Sequence, residues 1–155
     1  MELIDLVEDS IIADLMLDAA IAVWNPEPHD GPNAKGGEGD PGDGDDQVLI
    51  IIVSAEDRGD FGGVSGAGVK SVGIEVELTQ NVGINPDTSI LSGIAEKIAD
   101  RMPATHLLDF SRHLAFCNKR LKVFRIESSE TEAIADIDLV RQRIVAREFL
   151  CAQVG

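Results

Sequence analysis

The stretch that most restricts the fold is the last one, DLVRQRIVAREFLCAQV from Asp138 to Val154. Successive side chains of a strand point to opposite faces, so a period of two sorts these residues into two sets. One set is Val140, Ile144, Ala146, Leu150, Ala152 and Val154, interrupted by Gln142 and Glu148. The other begins Arg141, Arg143, Val145, Arg147, Phe149. At 17 residues the segment is far longer than the usual strand of about 5–6 residues. The pattern predicts a long terminal strand with its apolar set turned to a core and an arginine row turned outward. Such a row is out of keeping with a chain whose formal net charge is −15, and it points to a surface built to meet something.

The acidity is unevenly spread. Residues 1–60 hold 16 acidic and 2 basic side chains, a net of −14, whereas residues 61–155 hold 12 acidic and 11 basic, a net of −1. An acidic front half repels phosphate and argues against a general nucleic-acid binder. Aromatic residues make up only 4% of the chain and tyrosine is absent, which also argues against base stacking. A length of 155 residues suits one domain spanning 1–155 with its own core. Cys117 and Cys151 form neither a metal pattern nor a disulfide framework and are read as reduced and packed. No secretory signal pattern and no run long enough to cross a bilayer is present, so a protein made and used in the cytoplasm is expected.

Along the chain, residues 2–24 predict an amphipathic helix. Ile4, Val7, Ile11, Ile12 and Leu15 lie on its apolar side, with Asp5, Asp9, Asp14 and Asp18 opposite, and Pro26 and Pro28 forbid its continuation. Residues 25–46, rich in Gly, Pro and Asp, predict a long acidic loop. Residues 47–54, QVLIIIVS, read as a strand covered on both faces. Residues 71–80 alternate, with Val72, Ile74, Val76 and Leu78 inward and Glu75, Glu77 and Thr79 outward. The glycine-rich stretch 55–70 between them predicts an extended, flexible hairpin tip. A second helix is expected over 88–102, capped by Asp87 or Thr88 and stopped by Pro103. Residues 104–118 fit a short helix or an irregular cover. Residues 120–127 read as a third strand, SSETEAIAD as a connector, and the terminal segment as the fourth strand. The layer rules then give an α+β domain, α-β-β-α-β-β, with helices packed on a four-stranded, mainly antiparallel sheet.

Motifs that would carry chemistry fail on spacing. The tip between Gly63 and Ser71 places Val69 between Gly68 and Lys70 and is followed by a strand, so it lacks the helix terminus of a phosphate loop. Asp40, Asp43, Asp45 and Asp46 are oxygen-rich but miss the EF-hand spacing. Arg58-Gly59-Asp60 is a tripeptide that also arises by chance, and a charged contact surface on a flexible tip is the reading preferred here. His29, His106 and His113 show no ligand spacing, and there is no nucleophile-elbow motif. No catalytic, metal or cofactor residue is assigned, and the chain is read as a non-enzyme.

Three readings remain for Arg141, Arg143 and Arg147: a solvated face balanced by Glu75 and Glu77, a contact with the carboxylates of another copy, or exposure to DNA in a channel. Together with Arg58, Asp60 and Lys70 they form the candidate intersubunit set.

The element order, the glycine-rich tip over 55–70, the helix over 88–102 and the basic-apolar alternation over 140–151 together resemble the bacteriophage tail terminator, or tail completion (neck), proteins. The resemblance covers residues 2–24 and 47–154, and loop 25–46 is longer than the family pattern. It implies a compact α-β-β-α-β-β domain assembled as a hexameric ring on the tail tube, a virion protein made in the host cytoplasm. It also implies, as partners, further copies of the chain, the major tail tube protein and the head-tail connector proteins, with DNA only passing through the lumen and no membrane. The rival reading is a cytoplasmic acidic binding module for calcium or a basic protein partner.

Overall fold

The computed structural model describes residues 3–31, 48–60, 68–103, 120–129, 134–137 and 139–153. Most of the acidic loop, the hairpin tip proper and residues 104–118 lie outside them.

Helix α1 runs over Leu3–Leu15 and a short α2 over Ala19–Ala22. One helix through Trp24 was expected, and the break has a local cause. Asp18 takes an extended backbone and its side chain accepts from the Ala20 N–H at 2.9 Å, so it caps a new helix instead of continuing the old one. Asn25, at φ 50°, then reverses the chain ahead of Pro26; asparagine is among the few residues that tolerate this left-handed conformation. Trp24 packs against the core, as a packing anchor should.

Strand β1 is only Glu27–Pro28, followed by β2 at Leu49–Asp60 and β3 at Lys70–Asn81. The hairpin ladder runs without a break from Leu49 opposite Gln80 to Asp57 opposite Val72, then shifts before Asp60 meets Lys70. Gly59, at φ 101°, sits in that irregularity. The strands therefore extend well into the stretch read as tip. Helix α3 covers Ser89–Arg101, and Asp87 caps it by accepting from the Ser89 N–H at 3.0 Å. Strands β4, Leu121–Ser128, and β6, Val140–Gln153, follow expectation, but between them Ile134–Ile137 forms β5 where a connector was predicted.

The lanes of the sheet run β1-β2-β3-β6, and β4 and β5 share the fifth lane along the far side of β6. β4 pairs with β6 from Gln153 to Arg147, and β5 pairs with it from Arg143 to Val140. β1 is parallel to β2 and every other pairing is antiparallel. The result is an α+β domain with a mixed five-lane sheet in place of the four antiparallel strands predicted.

The core lies between the sheet and the helices. It joins Leu49, Ile51 and Val53 of β2 with Val72, Ile74, Val76 and Leu78 of β3, as the alternation predicted. Val7, Ile11 and Leu15 of α1 and Leu91, Ile94 and Ile98 of α3 close it. β6 contributes Val145, Phe149 and Cys151, which belong to the arginine set. This corrects the sequence reading of β6. Residues directly opposite in an antiparallel pair share a face. Val76 lies opposite Val145, Leu78 opposite Arg143 and Ile74 opposite Arg147, so the arginine row stands on the helix-covered side. The set expected inside faces the other way, although Ala146, Leu150 and Ala152 are buried there too. The second half of β6 is thus buried on both faces.

Candidate functional site

The six candidate residues do not form one patch. On the rungs of β3, Lys70 and the Gln80 that faces Arg141 are ten residues apart, about 34 Å of strand. Arg58, Asp60 and Lys70 sit at the hairpin end, and Arg141 and Arg143 toward the other.

Arg147 is spent inside the chain. Its Nε donates to the Met102 carbonyl at 2.7 Å, Nη2 to the Ala99 carbonyl at 3.5 Å and Nη1 to the Ala146 carbonyl at 2.8 Å. Met102 and Ala99 end α3, where unpaired carbonyls and the negative end of the helix dipole attract a cation. Arg143 joins Arg147, Ala99, Ser128 and Ser129 around a cleft of about 290 Å³, at the point where the last lane passes from β4 to β5. Arg141 and Arg143 are half-buried and also have partners within the molecule. Glu75 and Glu77, expected to balance them, lie opposite Ala146 and Ile144 and so project from the other face.

At the hairpin end the charges pair locally. Lys70 Nζ lies 3.5 Å from Asp57 and 3.3 Å from Asp60, and these carboxylates, Asp60 first, hold its ammonium above the usual lysine range. Arg58 lies flat over Gly73. A Cβ at that position would run into the Arg58 guanidinium, so a larger residue there would push this exposed side chain aside.

Two buried carboxylates on α1, which the helix pattern gave no reason to suspect, tie the layers together. Asp14, expected on the solvent side, accepts a two-pronged bond from Arg101 of α3, at 2.9 and 2.8 Å. Glu8 accepts from His29 Nδ1 at 2.8 Å and from the Ala55 N–H at 3.2 Å. Burial pushes its carboxyl above the ordinary range, while His29 and the Ala55 N–H pull the other way.

The two sheet edges carry opposite charge. On β2, Glu56, Asp57 and Asp60 are exposed, with the exposed Arg58 among them, which leaves the stretch acidic in balance. Glu8 occupies the Ala55 N–H at this edge, and Asp57 accepts from the Gly59 N–H at 2.8 Å. On β4, Lys122 lies 5.1 Å above the Phe124 ring, which is 37% exposed, and the ladder is bulged between Val123 and Arg125. Arg120 is exposed beside them, and Arg125 pairs with Glu127 at 2.9 Å. Neither edge was singled out from sequence. The run Arg120-Leu-Lys-Val-Phe-Arg125 holds the signal, but that β4 lies at an edge depends on the strand order.

Asp40, Asp43, Asp45, Asp46, His106, His113 and Cys117 fall outside the described residues. Cys151 is a buried free thiol. Among the described residues no group of His, Cys, Asp and Glu is arranged to hold a metal ion, and no helix is long and apolar enough to cross a membrane. No protein-family model matches the chain, and no curated protein does.

Proposed function

We propose that the chain is a structural protein of the phage neck, one subunit of a ring that caps the tail tube and joins it to the head connector. The observation that carries the reading is the order of elements, helix, hairpin, helix and closing strands, around a hairpin of two 12-residue strands. The last residues of β2, from Glu56 on, are mostly exposed and form an open edge of the sheet, while β3 stays paired with β6 beside them. Such an edge suits contact with a neighbouring copy or with the tube. The acidic front half supports a role in which DNA passes without sticking, because like charges repel. The ring, as a hexamer, and a place in the virion belong to the same proposal.

Deletion of the gene from the phage that carries it tests the reading. Electron microscopy of lysates is expected to show tails of irregular length or tails not joined to heads. Normal virions at normal yield would overturn it.

A further inference from the structure

We propose that copies of the chain associate edge to edge, the acidic end of β2 in one copy against the basic end of β4 in the next. The inference rests on the ring reading above and names the surfaces that close it.

Four observations lead there. The first is height. Glu56 lies opposite Gly73, Gly73 opposite Glu148, and Glu148 opposite Glu127 of β4. Lys70, which meets Asp60, lies opposite Cys151 and through it Val123, with Lys122 one rung further on. Counted along β6, Glu56, Asp57 and Asp60 stand at the rungs of Glu148 to Cys151 and Lys122 at that of Ala152, so the acidic end of β2 and the basic end of β4 lie at the same end of the sheet on opposite edges, with Lys122 four rungs beyond Glu56. The second is facing. Glu56 shares its face with Gly73 and Glu148, and Lys122 shares with Ala152 the same side, away from the helices. Rotation about a ring axis keeps that face turned the same way in every copy, and a stagger of four residues between neighbouring sheets, about 14 Å, brings the two side chains together.

The third is complementarity. Glu56, Asp57 and Asp60 carry three negative charges, of which Lys70 and the exposed Arg58 offset two. Lys122 supplies an exposed cation, and Phe124 beneath it an apolar anchor of the kind interfaces favour. The fourth is what the edges exclude. Glu8 and Asp57 occupy edge amides of β2, and β4 is bulged, devices that oppose strand addition. The contact is thus made by side chains, not by a continued hydrogen-bond ladder. Because the two edges differ, it is head-to-tail, the kind of contact that closes rings.

Sedimentation velocity on the full chain tests this at about 50 mM and about 500 mM salt, conditions that change the screening of exposed charges. Wild type is expected to form oligomers that weaken as salt rises. Lys122→Glu and Glu56→Lys should each weaken association by roughly tenfold or more. A mixture of the two variants, in which each exchanged charge can meet its opposite on the other variant, should associate again. The substitutions lie on different strands, and circular dichroism verifies that each variant folds. Wild-type oligomers that both variants leave unchanged would overturn the edge pairing and leave the ring standing. A wild-type chain that stays monomeric at low salt and high concentration would overturn both.

Discussion

On the helix-covered face of the sheet, Arg147 gives its donors to three backbone carbonyls and Gln80 is fully buried between β3 and the start of α3. At the edges, Glu56 and Lys122 stand exposed, and the closest described partner of Lys122 is the Phe124 ring. The groups are similar in kind; their surroundings differ. Inside, each polar atom must replace the water it lost, so it is committed to the fold. At the edge, water already satisfies it, and the group stays available to a partner. Strand register decides which role a charged residue takes.

The sharpest way to break this contrast is at Gln80. Its Oε1 accepts from the Leu91 N–H at 3.1 Å, and its Nε2 donates to the Asn85 and Asp87 carbonyls, both at 2.9 Å. It thus serves the first turn of α3, where Thr88 makes no side-chain cap. Gln80→Leu keeps the volume but strands these backbone groups, at a cost of about 2–4 kcal/mol in urea unfolding. A cost below about 0.5 kcal/mol, the range of ordinary surface changes, would show that water can reach this site. Arg147→Met comes next, at about 1–2 kcal/mol, since it removes a cation from a helix C-terminus along with its hydrogen bonds. Arg147→Lys should recover only part of that, because an ammonium lacks the fork that reaches separate carbonyls.

These two residues also show how far the sequence could be read. The alternation from Val72 to Leu78 has large β-branched and leucine side chains on one side and glutamates on the other, so the inward face was legible. The same holds for α3, with Asp87 before it and Pro103 after it. In β6, a period of two separates the sets but does not say which is inside. Counting apolar residues chose the wrong set, because arginine can lay its stem against a core and spend its head on carbonyls. β1 and β5 are too short to leave a pattern, and each exists because a long neighbour offers an open edge. The charged edges share that dependence on strand order.

Glu8 lies between the two regimes, buried on α1 yet touching the half-exposed His29 side chain and the edge amide of Ala55. Its carboxyl is raised chiefly by burial, and Asp30 adds to the effect. A raised folded-state value means the protonated form carries the stability: it is fully present below the ordinary carboxyl range and is lost as pH rises through the raised value. Wild type should therefore lose stability relative to Glu8→Gln between mildly acidic and neutral pH. Thermal unfolding of both proteins across that window checks this. A constant difference would mean that His29 and the Ala55 N–H fully offset the burial.

The smallest effect on stability is expected where the effect on association is largest. Lys122 is exposed on an edge strand, and its aromatic contact is with a half-exposed ring. Lys122→Glu should shift the unfolding free energy of the monomer by less than about 0.5 kcal/mol, as surface changes usually do. Measured under high salt, where association is suppressed, that near-zero value separates the edge from the interior. A loss of about 2 kcal/mol, of the size expected when a buried polar partner is removed, would place Lys122 among the committed groups beside Arg147. The edge pairing would then lose the cation on which its charge complementarity is argued. A near-zero loss, with weakened oligomers at low salt, would mean that this side chain contributes to assembly and little to the fold.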